Sequence, residues 1–239
     1  MKHFILIATI LLSVGFQSLA QSDATETPTA KDSVAQESKK PHQDLMYIDL
    51  TWERLLGMPN GVQQKWYSRG INLGLLYDYP LNKNGNVSAA IGLGFQSHNY
   101  YLNSVVSRYD SGGVNYSEFR VVGDTILDRG KISVNYVDLP IEVRFRTNEN
   151  SKGYRWKFAV GGKVGYLLQA HEKLIDNQGI KIKTYDYPHI TQWRYGVSAR
   201  VGYGSLMLSA FYSLTPFFEP NNSTTQQNAL TIGLSIVPF

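Results

Sequence analysis

The 239-residue chain contains no cysteine. That excludes a disulfide scaffold, a thiolate zinc site, a thiol nucleophile and a lipidated N-terminal cysteine. Charge is also sparse, at 18% of residues with a formal balance of +4. An excess this small does not argue for nucleic acid as a partner; a binder would gather its Lys and Arg on one face. Beyond the N-terminus no stretch reaches the roughly 18 apolar residues of a membrane helix. Neither a GxSxG elbow nor an HExxH metal helix is present. Asp110, Asp124 and Asp128 lack the spacing of a calcium loop. No residue is assigned to catalysis, a cofactor or a metal.

What the chain does have is 43% apolar residues, 16 Tyr, 10 Phe, 4 Trp and 21 Gly. Lys2 and His3 precede an apolar run from Phe4 to Phe16, and Ser18-Leu19-Ala20 supplies the small residues of a cleavage site. Residues 1–20 therefore read as an export signal. Residues 21–44 carry almost nothing large and apolar, so burial cannot offset their ordering entropy and a flexible periplasmic tether is expected. Removing Lys2 and the tether's net −2 leaves +5 on residues 45–239.

From Leu45 the pattern has period two. In 137–146, Val137, Leu139, Ile141, Val143 and Phe145 oppose Asp138, Pro140, Glu142, Arg144 and Arg146. In 154–171, Tyr154, Trp156, Phe158, Val160, Val164, Tyr166 and Leu168 oppose Arg155, Lys157, Ala159, Lys163, Gly165 and Gln169. Comparable alternation covers 45–54, 69–79, 87–96, 193–203, 205–216 and 228–239. About eight strands follow, each with one apolar and one polar or tiny face. The gaps alternate between long (55–68, 101–132, 172–188, 217–227) and short (80–86, 147–153, 204–205). Long loops outside and tight turns in the periplasm are the pattern of an outer-membrane barrel. In lipid an unpaired strand edge is too costly, so the sheet must close. The expected fold is all-β: an antiparallel up-and-down transmembrane barrel over 45–239 with periplasmic N- and C-termini. Tyr77, Tyr79, Tyr154, Trp156, Trp193, Tyr195, Tyr203 and Tyr212 sit near strand ends on apolar faces, as interface girdles require. Terminal Phe239 reads as a C-terminal assembly signal, although Leu230 to Ile236 and Val237 to Phe239 differ in parity.

Parity assigns Asp49, Glu53, Asp78, Asp138, Glu142, Arg144, Arg146, Arg155, Lys157, Lys163, Arg194 and Arg200 to the lumen. An eight-stranded lumen is only wide enough for side chains to fill, so these charges form either an ion-pair plug or a narrow basic path. Glycines at 92, 94, 161, 165, 196 and 202 make room on the same face. His98, His171 and His189 fall near outer strand ends, the first two on lumen parity, with Ser97 and Ser104 nearby; these are the candidates for a rim-site enzyme. Loop 101–132 is rich in Tyr, with Val121 to Leu127 a candidate hairpin extension, and parity shifts between Val134 and Val137. Loop 172–188 carries Lys173, Lys181, Lys183 and Tyr185. Such loops suit contact with protein, glycan or lipopolysaccharide phosphate.

The segments Tyr136-Val137-Asp138-Leu139-Pro140-Ile141-Glu142, Val160-Gly161-Gly162-Lys163-Val164-Gly165-Tyr166, Tyr212-Ser213-Leu214-Thr215-Pro216-Phe217-Phe218 and Leu230-Thr231-Ile232-Gly233-Leu234 are those of a known group. Over 45–239 the chain resembles the small outer-membrane β-barrel proteins of Bacteroidota, the PorT-like or OmpA-like barrel domains kept within the porin families. The resemblance implies an outer-membrane location, partners among outer-membrane lipid, lipopolysaccharide and the assembly machinery, and no cofactor. Some relatives are tied to type IX secretion. The expected function is a non-enzymatic structural or accessory subunit of a cell-envelope assembly. A narrow channel for small solutes is the alternative, and a lipid-modifying rim enzyme comes third.

Overall fold

The computed structural model describes residues 46–122, 127–185 and 189–237. The expected signal peptide, the tether and Phe239 lie outside the described residues. Among the described residues eleven strands follow in order: β1 (Met46–Leu56), β2 (Arg69–Pro80), β3 (Val87–Leu102), β4 (Ser104–Ser111), β5 (Val114–Val121), β6 (Leu127–Arg146), β7 (Trp156–Asp176), β8 (Lys181–Thr184), β9 (Trp193–Tyr203), β10 (Leu206–Pro216) and β11 (Asn228–Ile236). Eight of them, β1, β2, β3, β6, β7, β9, β10 and β11, form an antiparallel meander. The ring closes where β11 pairs with β1, from Ile48↔Ile236 to Leu56↔Asn228. Closure leaves no unpaired edge to face hydrocarbon.

Alternation decides which way each residue points. Leu75, Leu93, Ile141, Val160, Val197, Leu208 and Leu234 stand exposed on the outer surface, while the opposite parity is buried. Tyr77, Tyr79, Tyr154, Trp156 and Tyr203 ring the short-turn end, and Trp52, Tyr166, Trp193, Tyr195 and Tyr212 ring the other. On β9 the two girdles are marked by Trp193 and Tyr203, the ends of an 11-residue strand, which matches the roughly 9–11 residues a tilted strand needs to cross the hydrocarbon. β1 begins and β11 ends at the short-turn end, with the turns at 81–86, 147–155 and 204–205.

The loop reading of 101–132 and 172–188 is corrected by the structure. β3 continues to Leu102, β4 and β5 form a hairpin, and β6 already begins at Leu127. That hairpin turns on Gly112 and Gly113, whose positive φ values suit a two-residue turn. β7 runs on to Asp176 and pairs with β8 beyond the Asn177-Gln178-Gly179 turn. At 20 and 21 residues, β6 and β7 exceed the roughly 9–11 needed to cross the membrane, so their outer halves stand clear of it.

The expected parity shift between Val134 and Val137 is also corrected. From Gly130 to Arg146 β6 keeps one parity, with Ile132, Val134, Tyr136 and Asp138 all buried inside. The shift belongs to β7. There the register steps from Asn135↔Gln169 to Tyr136↔Leu167, a bulge that gives β7 one extra residue. Gln169 and His171, expected in the lumen, therefore face outward beside Asn135 and Ser133.

Candidate functional site

The lumen is filled by side chains in layers. Nearest the short turns, Asp78 binds two arginines: Arg146 Nη2 lies 2.6 Å from its Oδ2, and Arg144 Nη1 lies 3.5 Å from its Oδ1. Ser88 donates to Asp78 and accepts from Arg146. In the middle layer Arg200 lies 3.5 Å from Asp49 and 3.4 Å from Glu142, which also accepts from Arg144. These contacts cross the ring: Asp49 is on β1 and Arg200 on β9. The guanidinium of Arg200 rests 3.8 Å from the Tyr47 ring centroid. Lys163 Nζ sits 5.9 Å from that ring and 5.4 Å from the ring of Phe211. Stacking of this kind is worth about 2 kcal/mol or more once the cation is desolvated.

Above these, Arg194 Nη2 lies 3.3 Å from Asp138 and its carbon lies 3.9 Å from the Tyr136 ring centroid. Its Nη1 donates to His98 Nε2 at 2.9 Å. The same Nε2 lies 3.0 Å from the amide oxygen of Gln96, and the ring's Nδ1 faces Glu53 Oε1 at 2.9 Å. Thr51 and Thr231 also donate to Glu53. Small residues make this packing possible. A side chain at Gly74 would strike the Tyr47 ring, and one at Gly165 would strike Asp138. At Gly92, Gly161 and Gly202, by contrast, an added Cβ meets the neighbouring strand's backbone.

Eleven of the twelve charges assigned to the lumen by parity are buried there. Arg155 is the exception and a correction. β7 starts only at Trp156, so Arg155 belongs to the turn and sits at the rim, 3.7 Å from Glu149. Sequence reasoning passed over Tyr47, Gln96, Tyr136 and Phe211 as functional groups. Their buried parity was the available signal.

At its outer end the lumen turns apolar. Leu55, Tyr100, Leu102, Ile132, Val134, Phe217 and Phe218 close over the charged layers. The β4–β5 hairpin adds Phe119, 5.8 Å from Phe217 and 5.0 Å from Phe218. Asn222 and Thr224 of loop 217–227 tie this cap to the hairpin through Asn115 and Glu118. Two cavities inside the barrel, one beside Arg144 and Arg200 and one beside Arg194 and Phe217, measure about 10 Å³ each. That is room for about one water.

The three histidines do not converge. His98 is buried under the cap, His171 faces outward, and His189 lies in an outer loop 3.8 Å from Glu219. Ser97 points outward next to the buried His98, and Ser104 is buried at the base of β4. On the outward wall of β2, β3, β6, β7 and β8, register sets the residues side by side in cross-strand rows. An apolar row of Leu73, Phe95 and Val137 comes first, then Asn135 beside Gln169. Above them come Arg69, Asn99, Ser133 and His171, and then Tyr101, Lys131, Lys173 and Lys183.

Two solved structures of the attachment invasion locus protein Ail of Yersinia pestis are similar to this chain. One is 12% identical with a TM-score of 0.34, covering 80% of this chain and 95% of Ail. The other, a complex of Ail with the heparin analogue sucrose octasulfate, is 15% identical with a TM-score of 0.31, covering 80% and 96%. No curated protein matches the chain. The family model described as the outer membrane protein beta-barrel domain matches residues 35–219. With most of the chain matched and its eight membrane strands closed into a ring, the protein belongs to this family of outer-membrane β-barrels.

Proposed function

We propose that this protein is a non-enzymatic barrel with a sealed lumen, serving as a structural or accessory subunit of a cell-envelope assembly. The observation that supports this reading is the filling of the lumen. Most of its acids are paired with arginines, Lys163 rests on aromatic rings, the two cavities beside Arg200 and Arg194 hold about one water each, and an aromatic cap covers the outer end. A solute path or a reacting group would need space there. Specific contacts then fall to the outward wall and to the outer strands and loops. In this reading residues 1–20 direct export, residues 21–44 tether the barrel in the periplasm, and Phe239 addresses it to the assembly machinery.

The test is a pull-down of tagged protein from gently extracted native outer membranes, with mass spectrometry of the co-purifying chains. A stoichiometric set of envelope proteins is expected, and secretion components among them would specify a type IX role. A protein recovered alone that conducts ions steadily in a planar bilayer would overturn the proposal in favour of a channel.

A further inference from the structure

Above the membrane the sheet ends in an open edge. Among the described residues β8 is the last strand of the sheet and has β7 as its one neighbour. It lies against Glu172 to Ile175, at least six residues beyond Tyr166 of the outer girdle. The ladder fixes which groups this edge presents. Asp176 donates its N–H to the carbonyl of Ile180 where the hairpin turns. Antiparallel pairs alternate, so Ile182 and Thr184 also turn their N–H and C=O toward β7. Those of Lys181 and Lys183 point the other way, with no strand of the described residues beside them.

Side chains sort the same segment into two faces. Lys181, Lys183 and Tyr185 share one face, and Ile180 and Ile182 share the other. Ile180, Ile182 and Tyr185 are 54%, 53% and 57% exposed. Three large apolar side chains grouped this closely are a patch rather than scatter. Lysines on an edge guard it against apolar strands. Among the described residues neither lysine is ion-paired, and the field around them is positive: burial, then Lys131 and Lys183, hold His171 below its usual range. A second copy of the chain is a poor occupant, because β8 paired antiparallel with itself along this edge sets lysine against lysine.

We propose that the free edge of β8 accepts an extended segment of a protein partner in which acidic and apolar residues alternate. The partner's acids oppose Lys181 and Lys183, its apolar side chains lie beside Ile180 and Ile182, and its backbone adds a strand to the sheet. The inference deepens the subunit reading and rests on it, since it names the element by which a partner is held. The test titrates the full mature chain, in phosphatidylcholine nanodiscs, with a short fluorescent peptide of alternating Glu and Val, read by anisotropy. Saturable binding is expected. The same peptide N-methylated at each Glu keeps its charges and loses the hydrogen bonds to the edge, and should bind about tenfold more weakly or worse. Lys183→Pro removes an edge N–H, leaves the β7 ladder whole, and should weaken the unmethylated peptide about tenfold. If hydrogen exchange shows that this variant loses β8, Lys181→Glu combined with Lys183→Glu should have the same effect. Lys152→Gln, on a short turn at the opposite end, should bind as the native chain does. Equal binding of the two peptides would overturn the site by reducing it to charge attraction, and native affinity in the folded variants would do the same. A dimer in detergent that Lys183→Pro dissolves would give the edge to a second copy instead. The pull-down from native membranes separates the two readings. A barrel recovered alone would sink the subunit reading and this one with it, whereas envelope chains that still co-purify with Lys183→Pro would leave the subunit reading standing and remove the edge from it.

Discussion

The membrane-spanning barrel and the part that stands above it are built from the same strands with opposite polarity. Within the bilayer, β6 turns Val137, Leu139 and Ile141 outward and Asp138 and Glu142 inward. Six residues earlier the same strand sets Lys131 and Ser133 on the outward parity and Ile132 and Val134 inward. The strand has not slipped; the solvent has changed. Lipid outside demands apolar side chains there and leaves the lumen to charges that must pair. Water outside restores the arrangement of a soluble protein, with an apolar core inside the ring. The boundary between the two regimes is the membrane surface, and the aromatic cap lies on its watery side.

This comparison can be broken most severely from the inside. Arg200→Leu leaves Asp49 and Glu142 without their shared partner and should cost about 3–5 kcal/mol. Urea unfolding in vesicles, followed by the shifted gel mobility of the folded barrel, measures it. Phe218→Ala hollows the cap and should cost about 3–4 kcal/mol. In a planar bilayer this variant should stay silent, because the charged layers beneath still fill the lumen. A steady current would show that the cap alone seals the barrel. Leu93→Arg places a charge on the lipid face and should cost about 2–4 kcal/mol. The parallel change above the membrane, Val121→Arg on exposed β5, should stay within about 0.5 kcal/mol. Equal costs for the last two would mean that the apolar band extends to the hairpin, against the inversion described here.

The inversion also explains what could be read in advance. Alternation in 193–203 or 137–146 is a local property, and it located the membrane strands to within a residue or two at most ends. Above the membrane the inward residues become apolar, so the phase of the pattern reverses without any change in register. Val134 and Val137 then look like a slip that the strand does not make. The bulge that does occur, at Leu168 in β7, falls where polar Gln169 fits either face, so nothing in the pattern marks it. For that reason alternation alone puts His171 on the lumen side and its neighbours in a loop.

The sequence by itself determined that residues 45–239 form period-two strands with an apolar and a charged face, and which charges share a face. Both follow from alternation along a pleated strand, which needs only neighbouring residues. Tertiary structure decided which acid meets which base, that Tyr47 and Tyr136 carry the guanidinium groups, and that Phe119 folds over the mouth. Asp49 and Arg200 are 151 residues apart. They meet only because β11 returns to β1 and closes the ring, and ring closure is a property of all eight strands together.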